Sequence, residues 1–492
     1  MLERLAAIGP KRAGTTSARE AAELIRTRME QLGLSGVHFE EFAFPRRDLA
    51  ASSLEVTLEG APAAALAHDV LDGSASGRVD ADVVWVGAAS ARELAGRDVR
   101  ARIALVTRHP LLHRSAQYAS VAAAGAAAML YVSTAPDNLR QVGSVRSGWE
   151  AAGPIPALTL GARDGERLAE ARAAGRRVEA HIEVHASTSR AAGRNVLGEI
   201  IGRDRHTIVV GAHYDTWFAG ATDNGAGVAA VLALAERFRA RPQPRYCLRF
   251  VAYDGEELAL YGGYDFLRRH GGDPILVVLN LESPAAKGAS VHGLAHSEQP
   301  ALDQALRAAG LDRQYETYLG MELVPQLFGG AIPTDVQGAY RAGFSTASTA
   351  VDSPFYHTSA DTPDQVDLPR LAASVDGFER LLDQLLAQEL AAFAAADPGV
   401  WRLQVEASAG ALRVRVSDSA GVAQAGAQVE ATLLEHGFFQ AAVSRTQTDD
   451  TGWARVVFDR PGHPRADSLV HIAAGRAYPL AEVLIQPQPN AP

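Results

Sequence analysis

The sequence predicts an α/β protein: a mostly parallel mixed sheet flanked by helices, interrupted near its start by an α+β insert and closed by a C-terminal β-sandwich. Three observations predict this. Between Asn195 and about Ala395, apolar runs (TIVVGAH, CLRFVAYD, ILVVLNLE, STASTAV) alternate with helical stretches such as 228–239 and 368–390, and such alternation implies parallel pairing through crossovers. From about Ala65 to Ser187 the runs shorten to VVWVG, RIALVT, AMLYVS and ALTL, separated by turns and an Ala-rich helix. After Pro398 the helical pattern ceases, and LQVEAS, LRVRVS, QVEATLL, WARVVF and LVHIAA alternate as half-buried strands around DDTG and PGHP turns.

In chain order, Ser17-x-x-Glu20 has the form of a capping box. Ala21, Leu24, Ile25, Met29 and Leu32 then recur at helical spacing until Gly33, so one amphipathic helix is expected to open the protein. Residues 1–64 are assigned to the first part of the catalytic unit and 65–190 to the insert, with polar Ser187 to Arg194 read as a linker. The charge-free stretch between Arg114 and Asp137 is rich in Ala, Ser, Gln and Gly, which suits a helix turning into a strand better than a membrane span. Residues 191–397 form the main catalytic unit, 398–487 the sandwich, and 488–492 a disordered tail.

Composition narrows the chemistry. The 492 residues carry 47 basic and 57 acidic side chains, a net charge of -10, so there is no basic footprint for nucleic acid. Lys11 and Lys287 are the lysines, and neither sits in a P-loop context. Cys247 is the single cysteine, which forbids an internal disulfide and leaves His, Asp and Glu to build any metal site. The N-terminal residues lack a charged-then-apolar signal pattern, so a cytoplasmic location is expected.

In a sheet with helices on both faces, ligands bind beyond the carboxyl ends of the strands. TIVVGAH ends on His213 within His213-Tyr214-Asp215, and the next loop supplies Asp223 in GATDNGAG. CLRFVAYD delivers Glu256 and Glu257, ILVVLNLE delivers Glu282, and the loop after STASTAV brings Tyr356 and His357. Two zinc ions roughly 3.5 to 4 Å apart need a bridging carboxylate and about two further ligands each. Asp223 can bridge, His213 and Glu282 can complete one ion, and Glu257 and His357 the other. Glu256 is left over, beside a ligand and free to carry a proton. Asp215 can accept the second N–H of His213 and fix its tautomer. Each fragment alone has an ordinary structural explanation; their order, strand-end placement and complete ligand count do not.

HYD, GATDNGAG, DGEE, NLE and FYHTSADTP, in that order, resemble the co-catalytic zinc aminopeptidases of metallopeptidase family 28, a family that includes bacterial leucyl-type aminopeptidases and the glutamate carboxypeptidase II group. The resemblance implies the zinc-exopeptidase fold, with His213, Asp223, Glu257, Glu282 and His357 as zinc ligands and Glu256 as general base. It also implies that Tyr356 donates its hydroxyl to the tetrahedral oxyanion. Two departures stand out: the family often has Asp at the position of Glu282, and Ser-Asp-His where this chain has Thr334-Asp335-Val336. The insert, through IPALTLGARDGERL and the segment from Arg102 to Ser133, resembles a protease-associated domain, which implies a lid or partner surface.

The expected activity is therefore that of a dinuclear zinc exopeptidase, an aminopeptidase removing N-terminal residues from peptides by attack of a metal-bridging hydroxide with a Glu general base. A carboxypeptidase or dipeptidase on the same scaffold is the alternative, since Glu322, Asp335 and Arg341 offer both carboxylates for an amine and an arginine for a carboxylate. A non-catalytic, receptor-like binding protein is a third reading, opposed by the complete ligand set. A peptide is the expected partner, with neither nucleic acid nor membrane; nothing in the sequence opposes a homo-oligomer. Gly343 to Ala347 lacks the last glycine of a nucleophile elbow, and His109, His113, His292 and His296 lie outside the strand-end set.

Overall fold

The structure is a computed structural model of the chain and describes residues 1–109, 112–146, 152–297, 299–324, 332–393, 402–408, 411–418, 421–435, 439–458, 469–474 and 481–484. Its central sheet runs, edge to middle, through Thr317–Gly320, His292–His296, Ser345–Val351, Ile275–Asn280, Asp204–His213, Tyr246–Tyr253 and Val178–Ile200. Asp204–His213 pairs in parallel with both neighbours, and Ile275–Asn280 in parallel with Ser345–Val351. Antiparallel partners flank this group, His292–His296 on one side and Val178–Ile200 on the other.

Period-two side-chain alternation divides the interior into two cores, one on each face of the sheet. Ile208, Val210 and Ala212 point to one face, packing with Leu248 and Phe250 against helices Thr16–Gln31, Ala226–Arg239 and Leu368–Ala387. Val209, Val251 and Val278 point to the other, against Tyr261–His270 and Gln337–Arg341. Because both faces are covered, these strands read as unbroken apolar runs. Leu381, Leu382 and Leu385 of Leu368–Ala387 are fully buried, each stabilising the fold by roughly 1.5–3 kcal/mol.

Several expectations change. A short helix, Leu2–Ala7, precedes the expected opening helix. That second helix begins at Thr16, and its N-cap is Thr15, whose extended backbone lets the hydroxyl accept from Ala18 N at 3.2 Å. Ser17 thus falls inside the first turn. The stretch from Ser187 to Arg194 is no linker: it lies within Val178–Ile200, which pairs antiparallel with Ser35–Leu58. It is polar because this part of the two-stranded ribbon is largely exposed, so hydrogen bonds hold it without apolar side chains.

The ribbon carries the sheet into the insert. There Val178–Ile200 meets Gly77–Trp85, followed in parallel by Ile103–Thr107, Ala128–Val132 and Ala157–Leu160. Helices Arg114–Ala123 and Ala162–Ala173 lie between these strands in sequence, so the charge-free stretch is a helix and a strand. Among the described residues no helix is long and apolar enough to cross a membrane. Arg146, wholly buried, pairs with Asp72 and donates to Pro45 O at 2.5 Å, while Arg12 reaches Asp72 at 2.8 Å. These bonds fasten the insert to the opening segment of the catalytic unit.

At the C-terminus, a sheet of Arg402–Ser408, Ala411–Ser417 and Trp453–Val456 faces one of Phe439–Gln447, Gln428–Glu435, Leu469–Ala474 and Ala481–Leu484 over Val414, Val416, Val429, Ala431, Val470 and Ile472. Phe439–Gln447 was not among the expected strands. The expected tail, 488–492, and the side chain of Glu322 lie outside the described residues.

Candidate metal centre

Strand register levels the acidic and imidazole groups. Tyr253 pairs with His213, and Asn280 with Gly211, so Glu282 stands two residues beyond its strand partner just as His213 does. Past Tyr253 the chain turns at Gly255 (φ 77°) into the one-turn helix Glu256–Ala259. Gly220, at φ 57°, opens the loop that carries Asp223, and a Cβ there would meet Thr216 Cγ2 at 2.3 Å. The Asp223–Asn224 peptide is cis.

Asp223 stands between the imidazoles: Oδ1 lies 3.2 Å from His213 Nε2 and Oδ2 3.2 Å from His357 Nε2. Glu282 Oε1 approaches His213 Nε2 to 2.9 Å, and Glu257 Oε2 approaches His357 Nε2 to 2.8 Å. Two sets of potential metal ligands result, His213–Asp223–Glu282 and Asp223–Glu257–His357, sharing Asp223. Glu256 belongs to neither; its Oε2 is 4.0 Å from His213 Nε2. All five predicted ligands are therefore brought together, with Glu256 beside them.

The donor set fits a pair of divalent cations. Nδ1 of His213 lies 3.0 Å from Asp215 O, and Nδ1 of His357 lies 3.1 Å from Val142 O. A carbonyl can only accept, so each Nδ1 carries a proton and each Nε2 faces carboxylate oxygens. Burial works against a charged ring, yet Glu282 and Glu256 raise the proton affinity of His213, and Glu257 with Asp223 that of His357, so each Nε2 stands where a cation is favoured and a metal ion can take the place of a proton. Buried Glu257 Oε1 has no hydrogen-bond partner, and its Oε2 accepts from Trp217 Nε1 at 2.6 Å. Burial works against ionised Asp223, yet the two imidazoles hold its carboxyl well below the usual range. Burial pushes Glu256 upward, and Glu282, Glu257 and Asp335 push the same way against His213.

Asp215 occupies a different post from the expected one. Its backbone carbonyl, not its carboxylate, takes the His213 N–H; Oδ1 is 3.6 Å from Nδ1. The carboxylate accepts instead from Glu256 N (3.1 Å) and Glu257 N (3.3 Å), anchoring both glutamates at a helix start whose first N–H groups have no partner within the helix. Tyr356 stacks on His357 with ring centroids 3.7 Å apart, and its hydroxyl faces the buried guanidinium of Arg114 from the insert. Arg341 sits by Tyr264, Tyr340 and Glu430, groups outside the metal centre.

Residues 195–381, which hold all five predicted ligands and Glu256, match peptidase family M28. The chain carries a peptidase family M28 domain. Aminopeptidase YwaD of Bacillus subtilis is 28% identical over 273 residues, covering 53% of this chain and 54% of that protein; the match thus spans about half of the curated relative's length. Among solved structures, a peptidase M28 precursor from Shewanella amazonensis superposes with TM-score 0.64 at 21% identity, over 79% of this chain and 92% of that one. A zinc aminopeptidase from Bacillus subtilis gives TM-score 0.59 at 23% identity, over 77% and 92%. These likenesses establish the fold class.

Some residues that shape the M28 site were missed from sequence. Asn224 Nδ2 donates to Leu281 O at 2.9 Å and its Oδ1 accepts from Ser283 N at 3.0 Å, tying the Asp223 loop to both neighbours of Glu282. Asp361 accepts from Thr222 N (2.8 Å), Thr222 Oγ1 (2.6 Å) and Asp223 N (3.1 Å). Both sit inside motifs already singled out, DNGAG and SADTP, whose polar residues were the available signal. The contributions of Gln141, Val142 and Arg114 left no such signal, because the insert lies far away in sequence.

Proposed function

We propose that this chain is a dinuclear zinc exopeptidase acting on peptides as an aminopeptidase. The observation that carries the reading is Asp223, whose two oxygens each face a different imidazole and so complete two ligand sets, with Glu256 adjacent to both and part of neither. His213, Asp223 and Glu282 would hold one zinc ion, and Asp223, Glu257 and His357 the other. Zinc bound there supplies Lewis-acid polarisation of the scissile carbonyl.

The chain's own residues do the rest. Glu256 takes a proton from the attacking water on a carboxylate oxygen and returns it to the leaving amine, a role that suits a carboxyl whose affinity for protons is raised by burial. Asp215 fixes Glu256 through its backbone N–H. Tyr356 donates its hydroxyl to the oxyanion, and the insert, read as a protease-associated domain, walls the site on the side of His357. Glu256→Gln is expected to lower turnover of amino-acid anilides by about 10²–10⁴-fold while zinc stays bound. Normal hydrolysis by that variant would overturn the assignment.

One observation favours the carboxypeptidase alternative: Arg114 places a buried cation beside Tyr356 and Glu257, where a terminal carboxylate could pair with it. A panel of free and N-blocked dipeptides separates the readings. An aminopeptidase leaves the blocked substrates intact, whereas a carboxypeptidase cleaves them.

A further inference from the structure

We propose that the insert is a working part of the metal centre, with Gln141 and Val142 acting as positioning residues for His357. The proposal rests on the reading of His357 as a zinc ligand.

His357 is held in the left-handed region, at φ 57°, where a residue with a Cβ persists only when its surroundings over-determine it. Bonds within its own loop close turns without touching the imidazole: Tyr356 N to Ser353 O at 3.1 Å and Thr358 N to Phe355 O at 3.0 Å. Tyr356 stacks on one face of the ring and Asp223 and Glu257 meet its Nε2, while the hydrogen bonds to its backbone carbonyl and Nδ1 come from the insert. Val142 N donates to His357 O at 3.0 Å, His357 Nδ1 donates to Val142 O at 3.1 Å, and Gln141 Nε2 donates to Tyr356 O at 3.2 Å. One dipeptide thus fixes the ligand's backbone, its tautomer and its ring direction.

That dipeptide is itself fixed. The Gln141 side-chain carbonyl accepts from Thr134 N at 3.2 Å and Ser133 Oγ at 3.3 Å, at the end of Ala128–Val132. Two residues on, Ser144 O accepts from Arg114 Nε at 3.1 Å and Ser115 Oγ at 3.0 Å. Gln141 is only 4% exposed. It is therefore a buried bridge between an insert strand and the ligand loop.

The other imidazole is oriented differently. His213 donates Nδ1–H to Asp215 O, two residues along its own chain segment and within the M28 domain. The two rings answer to two different bodies. A disturbance of the Gln141–Val142 bridge should loosen the ion held by Asp223, Glu257 and His357 and spare the ion held by His213, Asp223 and Glu282.

The test is competition between the full-length protein and a zinc chelator, comparing wild type with Gln141→Leu, Val142→Pro and His357→Ala. Wild type should release two zinc ions. Gln141→Leu should release one of them about 10- to 100-fold more readily, the usual effect of losing an outer partner of a metal ligand, with the other unchanged. Adding Gln141→Leu to His357→Ala should then weaken binding of the remaining ion no further. Wild-type affinity at both sites in Gln141→Leu, or equal weakening of both, would overturn the proposal. Gln141→Leu decides the matter even if Val142→Pro does not fold. Wild type that binds no zinc would instead defeat the metal reading on which the proposal stands.

Discussion

Lys11 is 1% exposed, and its ammonium donates to Ala219 O at 2.7 Å and Gly9 O at 3.0 Å beside the loop that leads to Asp223. Burial pushes its pKa from 10.5 down to about 8, against the pull of Asp361 and Asp215. Between those values the unfolded chain holds the proton and the folded chain does not, so stability rises with pH across that window. At about 1.4 kcal/mol per unit, the rise amounts to roughly 3 kcal/mol. From pH 7.5 to 10.5 the unfolding free energy of wild type, read from denaturant titrations, should therefore rise by about that amount relative to that of Lys11→Met. A difference independent of pH would sink the idea. Asp215 illustrates what one-dimensional spacing could and could not convey. Its nearness to His213 was legible, but whether the carboxylate or the carbonyl meets the ring depends on the backbone turn after the strand, and the carboxylate proves more useful to the two N–H groups at the start of Glu256–Ala259.

At the scale of elements, the helix Thr16–Gln31 offers Thr15, Thr16 and Ser17 as caps in succession, and sequence pattern alone favoured Ser17 for its partner Glu20. Extended backbone at Thr15 decides otherwise. Thr15→Ala should cost about 1 kcal/mol in a denaturant titration, and Ser17→Ala no more than about 0.5 kcal/mol; the reverse order would reinstate the capping box. The loop carrying Asp223 makes a second case. Asp361 anchors both Thr222 and Asp223, and Asp223 serves both ligand sets, so Asp361→Ala should weaken both zinc ions in the chelator competition by about 10- to 100-fold. Weakening of one ion alone would mean that Asp361 does not act through the shared carboxylate. Strand ends were legible because apolar runs stop where the acidic and imidazole groups begin. The ribbon around Ser187 was not, since a two-stranded stretch exposed to solvent has no apolar alternation to display, and Val142 was not, since its tie to His357 spans 215 positions and uses only backbone atoms on its side.

Considered whole, the insert and the rest of the catalytic unit share a sheet, the Arg12–Asp72 ion pair and the Val142–His357 hydrogen bonds. Such continuity predicts one cooperative unfolding unit, not a domain hung on a hinge. The metal site lies in that unit and gathers Asp223, Glu256, Glu257 and Glu282, whose mutual repulsion cations would relieve. A ligand that binds only the folded form at a hundred times its dissociation constant adds about 2.7 kcal/mol per site. Zinc should therefore raise the unfolding midpoint of the insert as well as that of the M28 domain. Trp85 lies in the insert strand Gly77–Trp85, and Trp217 donates to Glu257 at the metal centre. Variants that keep one or the other as the sole tryptophan provide separate reporters. Both should give the same thermal midpoint with chelator, and zinc should raise both equally. A Trp85 transition that stays in place while the Trp217 transition moves would show the insert unfolding by itself and would break the link between its integrity and the metal site.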